Sequence, residues 1–243
     1  MSRLDDRLAA AIKAAGVKPA DSELAPTKKN YNQRLSDCIA LALAEELRDR
    51  GMKEARPSGP GEAGVSGAER RLAGGIGAKK VDVSWATEES GLIFAVSVKS
   101  IMFRDGKSNN FQKNLTNRRG DMLVEAVTLH RRFPYAVLAA FFILDAAAAT
   151  DGTARRNSTF ENAIPRLRLF TRRPDPAGRE EQFERFYLAL VDANQFQPSL
   201  RIFEVNDGET EINLDTALDD LIELIGERNF DLYGGTDGQI TKL

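Results

Sequence analysis

Asp82, Ser97 and Lys99 are the residues whose types and spacing could carry chemistry in this chain. Residues two apart on a strand share a face, so Ser97 and Lys99 point the same way from the run Leu92 to Met102. Asp82 lies in the alternating run Val81 to Trp85 and faces them across a tight antiparallel hairpin. One carboxylate and one ammonium are thereby brought to a single position on a sheet. Phosphodiester hydrolysis uses such a set: the acid holds a divalent cation that activates water and offsets phosphate charge, and the lysine orients or deprotonates the nucleophile. The plain alternative is a cross-strand ion pair, an arrangement that is common and weak.

The elements that must position these residues can be read from periodicity. A short helix is expected over Arg3 to Ala15, then a connector from Val17 to Lys29 that contains two prolines. Leu35, Ile39, Ala42, Leu43 and Leu47 fall at helical spacing between Tyr31 and Arg50, and Gly51 supplies a stop. After a Pro-, Gly- and Ser-rich loop from Arg56 to Gly67 come the two strands of the hairpin, with Gly74-Gly75-Ile76-Gly77 read as a turn ahead of them. A helix follows from about Asn110 to Arg132, closed by Pro134, and the apolar run Tyr135 to Leu144 suits a central strand covered on both faces. The remainder predicts a helix around Ser158 to Thr171, an amphipathic segment at Glu180 to Phe186, strands at Tyr187 to Asp192 and Leu200 to Val205, and a helix from Leu214 to Arg228. This order describes an α/β fold, a mixed β-sheet flanked by helices. The expected division is an N-terminal helix and connector over 1–29, one domain over 30–233 and a flexible tail over 234–243.

Composition narrows the chemistry. One cysteine and one histidine in 243 residues exclude an internal disulfide and a Cys/His zinc site, so any metal must be held mainly by oxygen. Cys38 falls in a helical stripe and reads as core, and His130 reads as a residue suited to a helix C-terminus. No apolar run approaches the ~20 residues that cross a bilayer, and the start MSRLDDRLAA lacks a secretion-signal pattern, so the expectation is a cytoplasmic protein with no membrane role. The net charge is −2, yet Lys99 to Arg119 holds six cations against Asp105 alone. Such a run is usually a solvated surface; placed directly after Lys99, it suits phosphate contact.

The segment Lys80-Val81-Asp82-Val83, followed after a gap by Phe94-Ala95-Val96-Ser97-Val98-Lys99-Ser100, resembles the core hairpin of PD-(D/E)XK nucleases. The resemblance extends through Gln112 to Asp121 and the helix beyond to Phe133-Pro134-Tyr135-Ala136-Val137-Leu138. These are similar to the core helix and following strand of bacterial restriction-type nucleases, and the whole covers about a third of the chain, Glu69 to Asp145. It implies a restriction-endonuclease-like core and a deoxyribonuclease of the type II restriction kind, dependent on Mg²⁺ (or Mn²⁺). Such an enzyme would hydrolyse double-stranded DNA as a homodimer in restriction or phage defence, with a methyltransferase or another defence-system subunit as a companion.

In that family the aspartate and the acid two before the lysine hold the metal, and the lysine assists the attacking water. Asp82 and Lys99 match; Val81 replaces the family's proline, and Ser97 stands where the second acid should be. Some members with serine there recruit a carboxylate from the next helix. Asp121 and Glu125 are candidates, although both lie farther beyond Lys99 than that replacement leads one to expect. Glu69, leading towards the hairpin, is preferred as the second metal ligand or water-positioning acid, and Glu46, on the apolar stripe of its helix, is a further metal candidate. Lys113, Arg118 and Arg119 are expected on phosphates, with Asn114 and Asn117 donating to backbone or bases. The reading that Ser97 motivates as an alternative is a catalytically lapsed member that binds DNA or a partner subunit.

Overall fold

Ser2 opens the first helix by accepting the Asp5 N–H while the Asp5 carboxylate accepts the Ser2 N–H. The computed structural model describes residues 2–58, 70–208 and 210–243. Helix α1 (Arg3–Ala14) buries Leu4, Leu8, Ala11 and Ile12, one helical face. Helix α2 (Ala25–Asp49) begins earlier than its apolar periodicity, because Pro26 in its first turn is compatible with a helix start. The expected connector is therefore partly helical.

Strands β1 (Arg70–Ala73) and β2 (Ala78–Val81) form a separate antiparallel hairpin around the Gly74-to-Gly77 turn. The chain continues through β3 (Val83–Thr87), β4 (Gly91–Ile101), α3 (Leu115–His130), β5 (Val137–Asp145) and α4 (Thr159–Leu167). It then runs through β6 (Arg185–Asp192), β7 (Ser199–Glu204), β8 (Glu211–Ile212), α5 (Leu214–Arg228), β9 (Tyr233–Thr236) and β10 (Gln239–Lys242). The six-stranded sheet has the order β3-β4-β5-β6-β7-β8; β4, β5 and β6 are mutually parallel and the other pairs antiparallel. Strand β5 is buried along its entire length, which its unbroken apolar run requires.

Alternation along the strands divides the core into two layers. Val96, Val98, Ala139, Phe141 and Tyr187 pack with α1, α2 and α5. Ala95, Leu138, Ala140, Phe142 and Leu188 pack with α3 and α4 on the opposite face. Each buried phenylalanine contributes roughly 1.5–3 kcal/mol. Residues 234–243, expected to be loose, instead complete the β9–β10 hairpin. The Ile240 N–H donates to the Arg50 carbonyl at 2.8 Å, and Gly235 lies so close to the Ile222 carbonyl of α5 that no Cβ fits between them. The glycines that suggested mobility permit close packing here. No helix among the described residues is long and apolar enough to cross a membrane.

Candidate active site

Asp82 sits in the bend where the chain leaves β2 and joins the main sheet at β3. Val83 pairs with Val96, which sets Asp82 beside the next stretch of β4. Its Oδ2 accepts the Val98 N–H at 2.7 Å and the Lys99 ammonium at 2.6 Å. Val96 and Val98 belong to the layer under α1, α2 and α5, so Ser97 and Lys99, alternating with them, turn towards α3. The hairpin, its antiparallel sense and the meeting of Asp82 with Lys99 are as the sequence indicates.

The second acid comes from α3. Met122, Glu125, Ala126 and Leu129 are all buried at the spacing of one helical face, so Glu125 is carried onto the sheet with its apolar neighbours. Its Oε2 stands 3.8 Å from the Lys99 ammonium and 3.6 Å from that of Lys79 on β2. Only 2% of the side chain is exposed, and among the described residues neither Glu125 Oε1 nor the Ser97 hydroxyl has a hydrogen-bond partner. Burial pushes the Glu125 carboxyl above its ordinary range and Asp82 adds to the effect. Lys99, Lys79 and the nearby Ser97 hydroxyl oppose it without prevailing. For Lys99 burial acts to lower the pKa, but Glu125 and Asp82 outweigh it and hold the ammonium above its usual range. A carboxylate at position 97 would set a third negative charge against Glu125; the hydroxyl avoids this.

The remaining expected residues lie elsewhere. Glu69 falls outside the described residues. Glu46 is turned inward, but its carboxylate is engaged by Arg3 at 2.7 Å, Arg7 at 2.5 Å and Arg50 at 2.9 Å, the last also tied to Asp215 and Asp219 of α5. It knots α1 to α2 rather than joining Asp82. Asp121 is exposed and pairs with Arg118 at 3.4 Å; the carboxylate that meets Lys99 belongs to the residue one turn further on. Arg119 stacks on Phe170, with its Nε buried, which turns it away from a free phosphate-binding role. Lys113 is exposed and paired with Asp105 at 2.6 Å, Asn114 stands at the start of α3 without a capping hydrogen bond from its side chain, and Asn117 is exposed on that helix. His130 is buried against Glu184, which also receives Arg173, Arg228 and the Leu138 N–H, so it braces the fold.

Lys79 was not singled out from the sequence, and nothing in its own run marks it. Glu125 had a visible signal, an acid on the buried stripe of its helix.

The Asp82 carboxylate, the Glu125 carboxylate with its partnerless Oε1 and the buried Ser97 hydroxyl form an all-oxygen donor set. Mg²⁺ characteristically binds through one or two carboxylates together with water and substrate phosphate, so this set fits it, and Mn²⁺ accepts the same donors. Among the described residues, no group of three or more His, Cys, Asp or Glu side chains forms a protein-only metal cage. In comparisons with known proteins, no family model, no curated protein and no solved structure matches this chain.

Proposed function

We propose that the protein is a divalent-metal-dependent deoxyribonuclease with a restriction-endonuclease-like core, in which Asp82, Glu125 and Lys99 form the reaction centre. One observation carries this reading: the buried Glu125 carboxylate comes from α3 to within 3.8 Å of the Lys99 ammonium that also binds Asp82, beside the serine that occupies the usual place of an acid. This also favours an active enzyme over a catalytically lapsed protein, since Glu125 would supply the second acid from another element.

Asp82 and Glu125 would hold Mg²⁺ or Mn²⁺, which when bound supplies an activated water and offsets phosphate charge. The chain's own groups do the rest. The Val98 N–H fixes the Asp82 carboxylate, and Lys99 stays protonated between two acids, suited to donate to a phosphate oxygen as charge develops there. Glu125, with its raised pKa and partnerless Oε1, is suited to accept a proton from water. Lys79 places a second ammonium on Glu125 Oε2. Double-stranded DNA as substrate, action as a homodimer and a place in restriction or phage defence belong to the same proposal and rest on the resemblance of the hairpin and helix.

The test is plasmid cleavage with Mg²⁺ or Mn²⁺ by wild type, Lys99→Ala and Glu125→Gln, with a chelator control. Cleavage by wild type alone, abolished by the chelator, is expected. Equal cleavage in all three proteins would reveal a contaminant and sink the proposal, as would no cleavage of any duplex or single-stranded DNA.

A further inference from the structure

Just beyond Lys99 on β4, Ser100 and Ile101 form the floor of a cleft of about 320 Å³ between the first turns of α2 and α3. Its cationic lining is Lys28 and Lys29 from α2, Arg104 from the loop after β4, and Lys113 and Arg118 beside α3; Asp105 is the one acid in the wall. A protein of net charge −2 has thus gathered five cations around one concavity. The cations are only partly spent on the protein itself. Lys113 is paired with Asp105, and Arg118 loosely with Asp121. Lys28 donates to the Asp21 carbonyl, and Arg104 to the Asn109 carbonyl while lying over Phe111. The Asp21 carboxylate accepts the Arg104 backbone N–H at the rim.

The helix ends point the same way. Helices α1, α4 and α5 each begin with a capping side chain and an acid in the first turn. Helices α2 and α3 begin with neither, and Ala25 and Asn114 at those starts line the cleft. Their positive dipole ends add to the lysine and arginine charge.

We propose that this cleft holds the phosphodiester backbone of the polynucleotide next to the bond being cut, with Lys28 and Lys29 on one wall and Arg104, Lys113 and Arg118 on the other. The assignment rests on the nuclease reading for its position relative to the chemistry. Arg118 ties the two places together, because its charge reaches Lys99. Lys28 and Lys29 are the new elements, since their stretch reads as a connector in sequence.

The experiment measures binding apart from cleavage. Full-length wild type, Lys28→Ala/Lys29→Ala and, as a control on distant surface lysines, Lys13→Ala/Lys53→Ala are titrated with a labelled duplex of about 20 base pairs. Chelator is present, and salt is varied over roughly 50–300 mM. Circular dichroism confirms that each variant folds. Loss of two phosphate contacts should lower the slope of log affinity against log salt by about 1.8 in the first variant and leave the control unchanged. An unchanged slope, an equal fall in the control, or no salt-dependent binding by wild type overturns the proposal. So does competition by a phosphorylated peptide as effective as DNA of equal charge. Plasmid cleavage is scored separately: binding that depends on Lys28 and Lys29 without cleavage refutes the nuclease reading alone, and cleavage with an unchanged slope refutes the cleft assignment alone.

Discussion

Replacing Glu125 with glutamine should abolish DNA cleavage while making the protein more stable. The carboxylate is 2% exposed, its Oε1 has no partner, and its two ammonium neighbours stand at 3.6 and 3.8 Å, too far for good hydrogen bonds. At an effective dielectric near 20, each such pair is worth about 4 kcal/mol before desolvation and the repulsion of Asp82 are set against it. The raised pKa shows that the opposing effects prevail. Glutamine keeps the shape and removes the charge; Lys99 retains Asp82 at 2.6 Å and Lys79, 31% exposed, is left to solvent, so no buried cation is stranded. A gain of about 1 kcal/mol is expected near neutral pH, a rise in Tm of roughly 2–4 °C for a domain of this size. The gain has a definite pH sense. An acid whose pKa is raised on folding binds more protons in the native state, so wild type loses stability as pH rises from 4.5 through the folded value, whereas the glutamine variant does not. The Tm difference should therefore widen between acid and neutral pH. Cleavage should fall by more than about 100-fold, since even residues that only support a metal ligand cost 10–100-fold. Scanning calorimetry and plasmid cleavage on the same preparations decide the matter. A variant that cuts within about threefold of wild type, or that melts several degrees lower, would show that Glu125 is a structural ion-pair partner and refute the reasoning.

Three further outcomes follow from the charges described above. Lys79→Ala removes one of the cations that hold the Glu125 pKa down, so the acid limb of the cleavage–pH profile should move upward; an unmoved limb would separate Lys79 from the reaction centre. Glu46→Gln should cost about 2 kcal/mol, less than the usual 3–5 for breaking a buried pair because Arg50 keeps Asp215 and Asp219. Its cleavage per folded molecule should match wild type, and loss of metal-dependent activity in a folded variant would return Glu46 to the list of ligands. Burial acts to raise the Glu184 pKa, but His130, the Leu138 N–H and Arg228 together hold it below its ordinary 4.5. That stabilisation is present above pH 4.5 and lost as pH falls through the folded value, so the Tm advantage of wild type over Glu184→Gln should shrink in acid melts.

Periodicity reported the architecture well where one physical demand acted alone. The unbroken apolar run of β5 and the helical stripe of α5 each admit one solution, and the structure adopts it, whereas the run Val81 to Trp85, expected as one strand, is split by the bend at Asp82, with Val81 in β2 and Val83 in β3. Misreadings arose where a residue type serves two ends. Pro26 ends helices in their interior but suits their first turn, so the start of α2 reads as a connector in sequence. Gly234 and Gly235 permit tight packing on α5 as readily as they permit disorder. The same ambiguity governed the acids. Glu46 and Glu125 both lie on buried stripes, and the stripe says that an acid faces inward without saying what it meets. Glu46 meets arginines from α1 and its own helix end; Glu125 meets the lysine. Distance along the chain was a poor guide, because α3 runs back across the sheet and brings position 125 over position 99.

Carrying one acid on the sheet and the other on a helix has an evolutionary consequence. In a hairpin the spacing between two carboxylates is set by backbone pairing, which changes only in whole residues. Here it is set by how high α3 rides above β4 and β5, a height decided by the volumes of Met122, Ala126, Leu129, Leu138 and Ala140. Mg²⁺ demands near-ideal octahedral geometry. On the proposed nuclease reading, natural variation among those apolar residues would adjust ion preference in small continuous steps, and selection on catalysis would leave its mark on side chains that never touch the substrate.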